Sequence, residues 1–435
     1  MLPTTLGEIA RQAGGTLRGR PDWPQVWEVC TDSRKAVVGS LFVALKGPRF
    51  DGHDHVLAAL GKGAVAALVT RGRIPAGQPG AYVEVDDSLV AMGRLAGAYR
   101  GRLTARIVGI TGSNGKTTTK EMLSAICMAV GSTIRSPKSY NNNIGLPLTC
   151  FHLGEYTKYG VLEMGANAPG ELSALAAIAR PDVAVVTNIG RAHLGGFGGT
   201  LAHVAAAKGE LVEAVARRGG IVILNGDDPN SRPLFERTKG AARVVRFLQA
   251  QEGELEGLPG IRGRHNVMNA LAAVAAAEAL GIPRAKALAA LAAYEPPPMR
   301  LEETEVAGVR LVNDAYNANP DSMKASLEWL ASQPGRKVAC LGEMLELGKA
   351  SEALHREAGQ AALQAGVSLL VCVGEAGRRI AEGYGKAAVL AADAAEAGAL
   401  LAARARKGDV VLFKASRGTA LERAFEACRT ELEKA

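Results

Sequence analysis

The 435-residue chain is 48% hydrophobic and 22% charged, a globular balance, and at roughly 100–200 residues per domain two to three domains are expected. Aromatic residues are only 4%, so the cores must be built from Ala, Val, Leu and Ile. No apolar stretch approaches the roughly 18 residues of a membrane span, and Met1-Leu-Pro-Thr-Thr5 lacks the basic-then-apolar order of an export signal. A protein of the cytoplasm with no membrane insertion is expected. The net charge of +8 is dispersed, with small groups such as Arg34-Lys35 and Arg217-Arg218. That argues against a nucleic-acid stripe and suits phosphorylated small molecules. Cys30, Cys127, Cys150, Cys340, Cys372 and Cys428 show no metal-ligand spacing and read as reduced core thiols.

In chain order, Val26–Cys30 and Ser40–Leu45 read as strands and His55–Gly61 as a short helix leading into the strand Val65–Val69. Ala81–Val85 is a further strand, and Asp87–Arg100 a helix with Leu89, Met92, Leu95 and Ala96 on one face. A polar segment from Arg100 to Arg106 separates this unit from the next, so a boundary is expected near residue 104. The apolar run Ile107, Val108, Ile110 then ends in the glycine-rich turn Thr111-Gly-Ser-Asn-Gly-Lys-Thr117, and Met122, Ile126 and Val130 recur at helical spacing behind it. Strand, turn and helix in this order suit a phosphate-binding loop. Gly112 and Gly115 would let backbone N–H groups turn inward, Lys116 would reach the β/γ-phosphates, and Thr117 would reach Mg²⁺. One departure is visible: the usual pattern wants glycine five residues before Gly115, where this chain has Ile110.

Apolar runs continue at Tyr159–Leu162, Val183–Val186 and Ile221–Leu224, with helical patterns between them. The alternation predicts an α/β unit with a doubly wound, mostly parallel sheet and a ligand site at the carboxyl ends of its strands. The polar clusters after these runs, beginning at Glu163, Thr187 and Asn225, would share that rim. Ala-rich helices are expected from Asn266 to Leu280 and from Arg284 to Tyr294. Glu295-Pro-Pro-Pro-Met-Arg300 cannot continue a helix and reads as a stiff extended linker. Beyond it, strands at Val309–Val312, Lys337–Leu341, Leu369–Val373 and Val410–Lys414 make a third α/β unit. The expected domains are thus 1–104, 105–298 and 299–435.

Several residues could carry chemistry. Glu163 closes a strand beside the phosphate loop, as a metal carboxylate should, although a solvated glutamate fits the same position. His193 lies in the glycine-rich loop after the next strand, where a surface or core histidine is the ordinary reading. Lys208 on an Ala-rich helix is by spacing alone a solvated charge, and Asn266 and Asn269 read equally as base-edge contacts or helix caps. Asn313-Asp-Ala-Tyr-Asn-Ala-Asn319, with four amides or carboxylates before Pro320, is hard to explain as packing.

These motifs carry a resemblance. The chain resembles the Mur ligase family of ATP-dependent amide-forming enzymes, whose loop variant Thr-Gly-x-x-Gly-Lys-Thr matches Thr111–Thr117 and accounts for Ile110. Ser139-Tyr-Asn-Asn-Asn-Ile-Gly-Leu-Pro147, Glu163-Met-Gly-Ala166, Ala192-His193, Lys208-Gly-Glu210 and Gly263-Arg-His-Asn-Val-Met-Asn269 match in order. Asp32-Ser-Arg34, Phe50-Asp-Gly-His-Asp54, Asp314-Ala-Tyr-Asn-Ala-Asn-Pro320 and Leu341-Gly-Glu-Met-Leu-Glu-Leu-Gly348 are most similar to the branch that adds D-alanyl-D-alanine to UDP-N-acetylmuramoyl-tripeptide. The resemblance implies a small N-terminal α/β domain for the UDP end of the substrate, a central ATPase domain and a C-terminal Rossmann-like dipeptide domain. It implies a monomer working with ATP and two Mg²⁺ ions, and no nucleic acid.

In this chain the resemblance implies ATP contacts from Thr111, Gly112, Ser113, Asn114, Gly115, Lys116, Thr117 and Thr118, with Asn269, Arg300 and Asp314. Thr117, Glu163, His193 and a CO₂-derived carbamate on Lys208 would serve the metal, and Lys116, Lys208 and His193 the catalysis. Such a carbamate needs a lysine that is neutral part of the time. Asp32, Ser33 and Arg34 would hold the UDP end, and Tyr316, Asn317 and Asn319 the dipeptide. The base for the incoming amine is open between His193 and Glu343, and Ala415 stands where the family usually has glycine. A sister ligase adding another amino acid would show an Asp-Asn-Pro-Arg-type motif, which is absent. A folate polyglutamate ligase would lack the N-terminal domain, and a phosphate-loop ATPase would turn over ATP with no acyl acceptor.

Overall fold

The computed structural model describes residues 1–19, 22, 25–75, 80–192, 194–255 and 257–434. Three large sheets follow one another along the chain, with a two-stranded sheet beside the first. The first has five strands in the order Thr16–Arg18, Tyr82–Val85, Ala66–Thr70, Ser40–Val43, Glu28–Cys30, parallel except for the first. The second is a six-stranded, wholly parallel sheet in the order Arg243–Phe247, Ile221–Asn225, Val183–Val186, Arg106–Thr111, Tyr159–Glu163, Thr133–Arg135. The third runs Glu302–Val306, Val309–Asn313, Asp409–Lys414, Arg336–Leu341, Leu369–Val373, Val389–Ala391, with only the Glu302–Val306 edge antiparallel. Parallel strands need crossovers, which the helices between them supply, so both faces of the second and third sheets are covered by apolar clusters.

The apolar runs read from the sequence became the inner strands, within a residue or two at their ends. Five edge strands of these sheets were not expected: Thr16–Arg18, Thr133–Arg135, Arg243–Phe247, Glu302–Val306 and Val389–Ala391. They are short and half-exposed, so nothing forces an apolar pattern onto them; in Arg243–Phe247 only Phe247 is buried. The expected strand Val26–Cys30 is divided. Gln25–Val26 pairs with Thr4–Thr5, while Glu28–Cys30 joins the first sheet. The helix Leu6–Ala13 was also missed, although Thr5 and Glu8 form a reciprocal capping box at its start and Gly14 closes it in the left-handed region at φ 72°.

The first two sheets share one continuous apolar core. The helix Ser88–Arg100, capped by Asp87 through Leu89 and Val90 N–H, packs on the helices Gly145–Phe151 and Glu171–Ala179 of the second sheet. Its buried Tyr99 donates to Leu153 O at 2.5 Å, and Arg100 donates to the carbonyls of Ala179, Leu103 and Ala105. Residues 293–301, which hold the three prolines, contain no helix or strand, and among the described residues no buried apolar cluster runs from the second sheet to the third. All six cysteines are free and buried; removal from water pushes the Cys127 and Cys150 thiols to about 12. Among the described residues no helix is long and apolar enough to cross a membrane.

Candidate active site

Strand Arg106–Thr111 lies in the middle of the second sheet, between Val183–Val186 and Tyr159–Glu163. It delivers the glycine-rich turn to the carboxyl rim, and the helix Lys116–Met128 starts directly behind. The turn is closely packed: a Cβ on Gly112 would come within 1.8 Å of Thr187 Oγ1, and one on Gly115 within 2.0 Å of Asn269 Oδ1. Both glycines have positive φ, 149° and 79°, so side chains are excluded there on two grounds. The neighbouring loop 187–191 holds the turn in shape. Thr187 Oγ1 donates to Asn114 O at 2.5 Å, Asn114 N–H to Asn188 Oδ1 at 2.9 Å, and Gly190 N–H to Ser113 Oγ at 2.8 Å. Thr111 and Thr118 are buried at either end of the turn.

Lys116 Nζ folds back on the turn, donating to Gly112 O at 2.9 Å and Ser113 O at 3.2 Å. Loss of water lowers its pKa, with Glu163 opposing the shift. Thr117 Oγ1 donates to Glu163 Oε2 at 2.9 Å, and Asn141 Nδ2 to Glu163 Oε1 at 2.8 Å. These oxygens suit a hard cation such as Mg²⁺. Among the described residues no three His, Cys, Asp or Glu side chains gather as a metal cage, and Mg²⁺ characteristically takes one or two carboxylates plus phosphate and water. The residues therefore fit a magnesium ion that shares a nucleotide. His193 lies outside the described residues. Lys208 is buried, with its Nζ 5.6 Å from the centre of the Phe197 ring. Burial first, and Lys116 second, bring its pKa down to about 7.

A cleft of about 960 Å³ opens above the turn. Its lining joins Ser113–Thr118, Glu163 and Asn269 with Arg300, Asp314, Tyr316, Asn317, Asn319 and Lys414 from the third unit. Lys414 Nζ pairs with Asp314 Oδ2 at 2.6 Å and donates to Asn317 O at 3.3 Å, while Ser326 Oγ donates to the same carboxylate oxygen at 2.6 Å. The Arg300 guanidinium lies 4.2 Å over the Tyr316 ring, and the Tyr316 hydroxyl meets Ser139 Oγ. Asn319 caps the helix Pro320–Ala331 through Ser322 N–H, and its Nδ2 donates to Asn114 Oδ1 at 2.6 Å. Asn269 packs beneath the turn, bonded to Thr119 and Asn266. His265, also in the lining, is held down to about 4 by burial, with Asp314 opposing and Lys414 reinforcing.

Other expected residues stand apart from this lining. Asp32, Ser33 and Arg34 are not among the cleft residues. Arg34 grips Asp32 through Nε and Nη2, both at 2.9 Å, which with the Arg34 N–H holds the Asp32 carboxyl down at about 2. Lys208 and Glu343 are likewise outside the lining, and Glu343 is exposed. Three residues of the cleft lining were not read as candidate site residues: Asn141, Arg191 and Lys414. Asn141 and Lys414 do sit in segments singled out by motif.

Two family models match: "Mur ligase middle domain" over residues 110–277 and "Mur ligase, glutamate ligase domain" over 299–417. A UDP-N-acetylmuramoyl-tripeptide–D-alanyl-D-alanine ligase of Bacillus subtilis is 38% identical over 97% of each chain. The chain belongs to the Mur ligase family. Among solved Mur ligases, MurF from Acinetobacter baumannii superposes with a TM-score of 0.89 at 30% identity, covering 100% of this chain and 99% of the other. MurF from Thermotoga maritima, solved in complex with ADP, gives 0.83 at 31% identity, covering 94% and 98%. Ala415 is accommodated in this Mur ligase: it is buried and absent from the residues with positive φ, so nothing at that position requires glycine.

Proposed function

We propose that this Mur ligase joins D-alanyl-D-alanine to UDP-N-acetylmuramoyl-tripeptide at the expense of ATP, in the building of the peptidoglycan precursor in the cytoplasm. The observation that carries the reading is one cleft in which a phosphate loop with its Thr117–Glu163 pair faces the Asp314, Tyr316, Asn317 and Asn319 cluster of the third unit. The terminal carboxylate of the tripeptide takes the γ-phosphoryl group: a carboxyl O–P bond forms, the β–γ bridge breaks, and ADP leaves. The amine of the dipeptide then attacks the acyl carbon. A C–N bond forms, phosphate departs with the acyl oxygen, and the ammonium gives up its proton to a base.

This chain's part is positioning and charge neutralisation. Lys116 exchanges its two carbonyl partners for phosphate oxygens, and the turn presents its N–H groups at the helix start. Thr117 and Glu163 would hold Mg²⁺, joined by His193 and by a carbamate on Lys208, and a metal held there would supply neutralisation of the phosphate charge. Asn269, Arg300 and Asp314 serve the nucleotide, Tyr316, Asn317 and Asn319 the dipeptide, and Asp32, Ser33 and Arg34 the distant UDP end. The domains divide the work accordingly: 1–104 for the UDP substrate, 105–298 for ATP and 299–435 for the dipeptide. Closure of the third unit about the proline segment would exclude water from the acyl phosphate.

Mass spectrometry of the product from ATP, UDP-muramoyl-tripeptide and D-alanyl-D-alanine tests this, with ADP as the expected co-product. ATP hydrolysis that does not rise when both acceptors are supplied would leave a phosphate-loop ATPase instead.

A further inference from the structure

Lys120 lies one helical turn after Lys116 and is wholly inaccessible to solvent. A lysine buried this completely is costly unless its ammonium is neutralised and its three N–H donors are used. Here they are. Nζ donates to Ser136 O at 2.9 Å and Lys138 O at 2.7 Å, and pairs with Glu121 Oε1 at 2.8 Å. Glu121 is in turn held by Arg135 at 2.7 Å. Two of the three partners are thus backbone carbonyls of a single loop, and that loop is bent: Lys138 adopts φ 48°, a conformation uncommon outside glycine and asparagine.

The same loop reaches both halves of the cleft. Ser136 Oγ accepts from Glu163 N–H at 3.1 Å, and Asn141 donates to the Glu163 carboxylate. Between them Ser139 meets the Tyr316 hydroxyl of the third unit. Glu163 Oε2 itself is 4.0 Å from the Lys120 ammonium. We propose that Lys120 is a positioning residue for the ligase reaction: from inside the core it pins residues 136–141, so that Asn141 braces Glu163 while Ser139 is presented to Tyr316. The proposal rests on the ligase reading above. Space-filling alone could be met by methionine, which matches lysine in length but supplies no donor.

The test compares Lys120→Met, Ser139→Ala and the double variant. In the free protein, amide hydrogen exchange at residues 136–141 should quicken by about tenfold or more in Lys120→Met, the scale of losing charge-assisted hydrogen bonds, while the helix Arg264–Ala279 keeps its protection. In steady state, KM for the dipeptide should rise about tenfold in either single variant. The double variant should be no worse than the poorer single, because both act through one loop. Unchanged exchange at 136–141, or additive effects on KM, would overturn the proposal. If Lys120→Met does not fold, an unchanged dipeptide KM in Ser139→Ala overturns it alone. Wild-type protein that makes no product from the three substrates would sink the ligase reading, while the exchange result still decides what Lys120 holds.

Discussion

Burial on the helix Leu201–Ala216 brings the Lys208 ammonium from an ordinary 10.5 to about 7, so near neutral pH a large share of this amine carries no proton. Only the neutral amine reacts with CO₂, forming an N–C bond and releasing one proton. Carbon-13 NMR in labelled bicarbonate should therefore show a carbamate signal that strengthens from about pH 6 to pH 8 as the amine deprotonates. The signal should be missing in Lys208→Ala, whose activity should fall about a hundredfold, the usual upper scale for a lost metal-site partner, and recover partly with short-chain carboxylates. Wild-type activity in that variant would refute the carbamate. The stability linkage has a definite sign: between about 7 and 10.5 the unfolded lysine holds a proton that the folded one has shed, so this group makes stability rise with pH across that window. Lys116→Ala should lower kcat by roughly 10²–10³, the effect of deleting one preorganised donor on developing phosphate charge. Lys116 and Thr117 were legible from a local pattern. Lys120 and Lys414 were not, because their partners at 136, 138 and 314 are distant in sequence and define them.

Loops at strand ends do most of the assembling. The 187–191 segment grips the phosphate turn from one side, and Arg191 reaches the third unit from the other. Its N–H and Nε bond Asp321, at 2.6 and 3.1 Å, and Nη1 meets Glu357 at 2.7 Å. These side chains are partly exposed, so each pair contributes at most about 1 kcal/mol. Arg191→Ala should then reduce kcat/KM by roughly fivefold to tenfold, and the defect should shrink at high salt, where the wild-type pairs are themselves screened. A salt-independent defect would assign Arg191 some other task. Asn319→Ala removes both the helix cap and the bond to Asn114; the cap alone should cost about 1 kcal/mol in a denaturant titration. The strand ends that carry these loops were readable from apolar runs. The half-exposed edge strands were not, since no core imposes a pattern on them.

Across the whole molecule the two junctions differ in kind. The first and second sheets share a buried core, sealed by Tyr99 and Arg100, whereas the third sheet meets the second through Asn319–Asn114, Arg191–Asp321 and Tyr316–Ser139. Apolar cores separate only at a large cost in exposed area, while wet polar contacts exchange readily with water. A fragment of residues 1–104 should accordingly lack a cooperative thermal transition, because much of its core belongs to its neighbour. Residues 299–435, with both faces of their own sheet covered, should show one by circular dichroism. A cooperative melt of the first fragment alone would contradict the shared-core argument.

The sequence by itself determined the α/β alternation, the phosphate turn and the family, because strand runs, glycine turns and helix starts are local and their chemistry is written within a few residues. Tertiary structure alone decided which side chains meet. It brought the 136–141 loop to Glu163 and Tyr316, buried Lys208 and so lowered its pKa to about 7, and left Asp32–Arg34 away from the cleft lining. Burial and long-range pairing are properties of the packed chain, and no window of the sequence contains them.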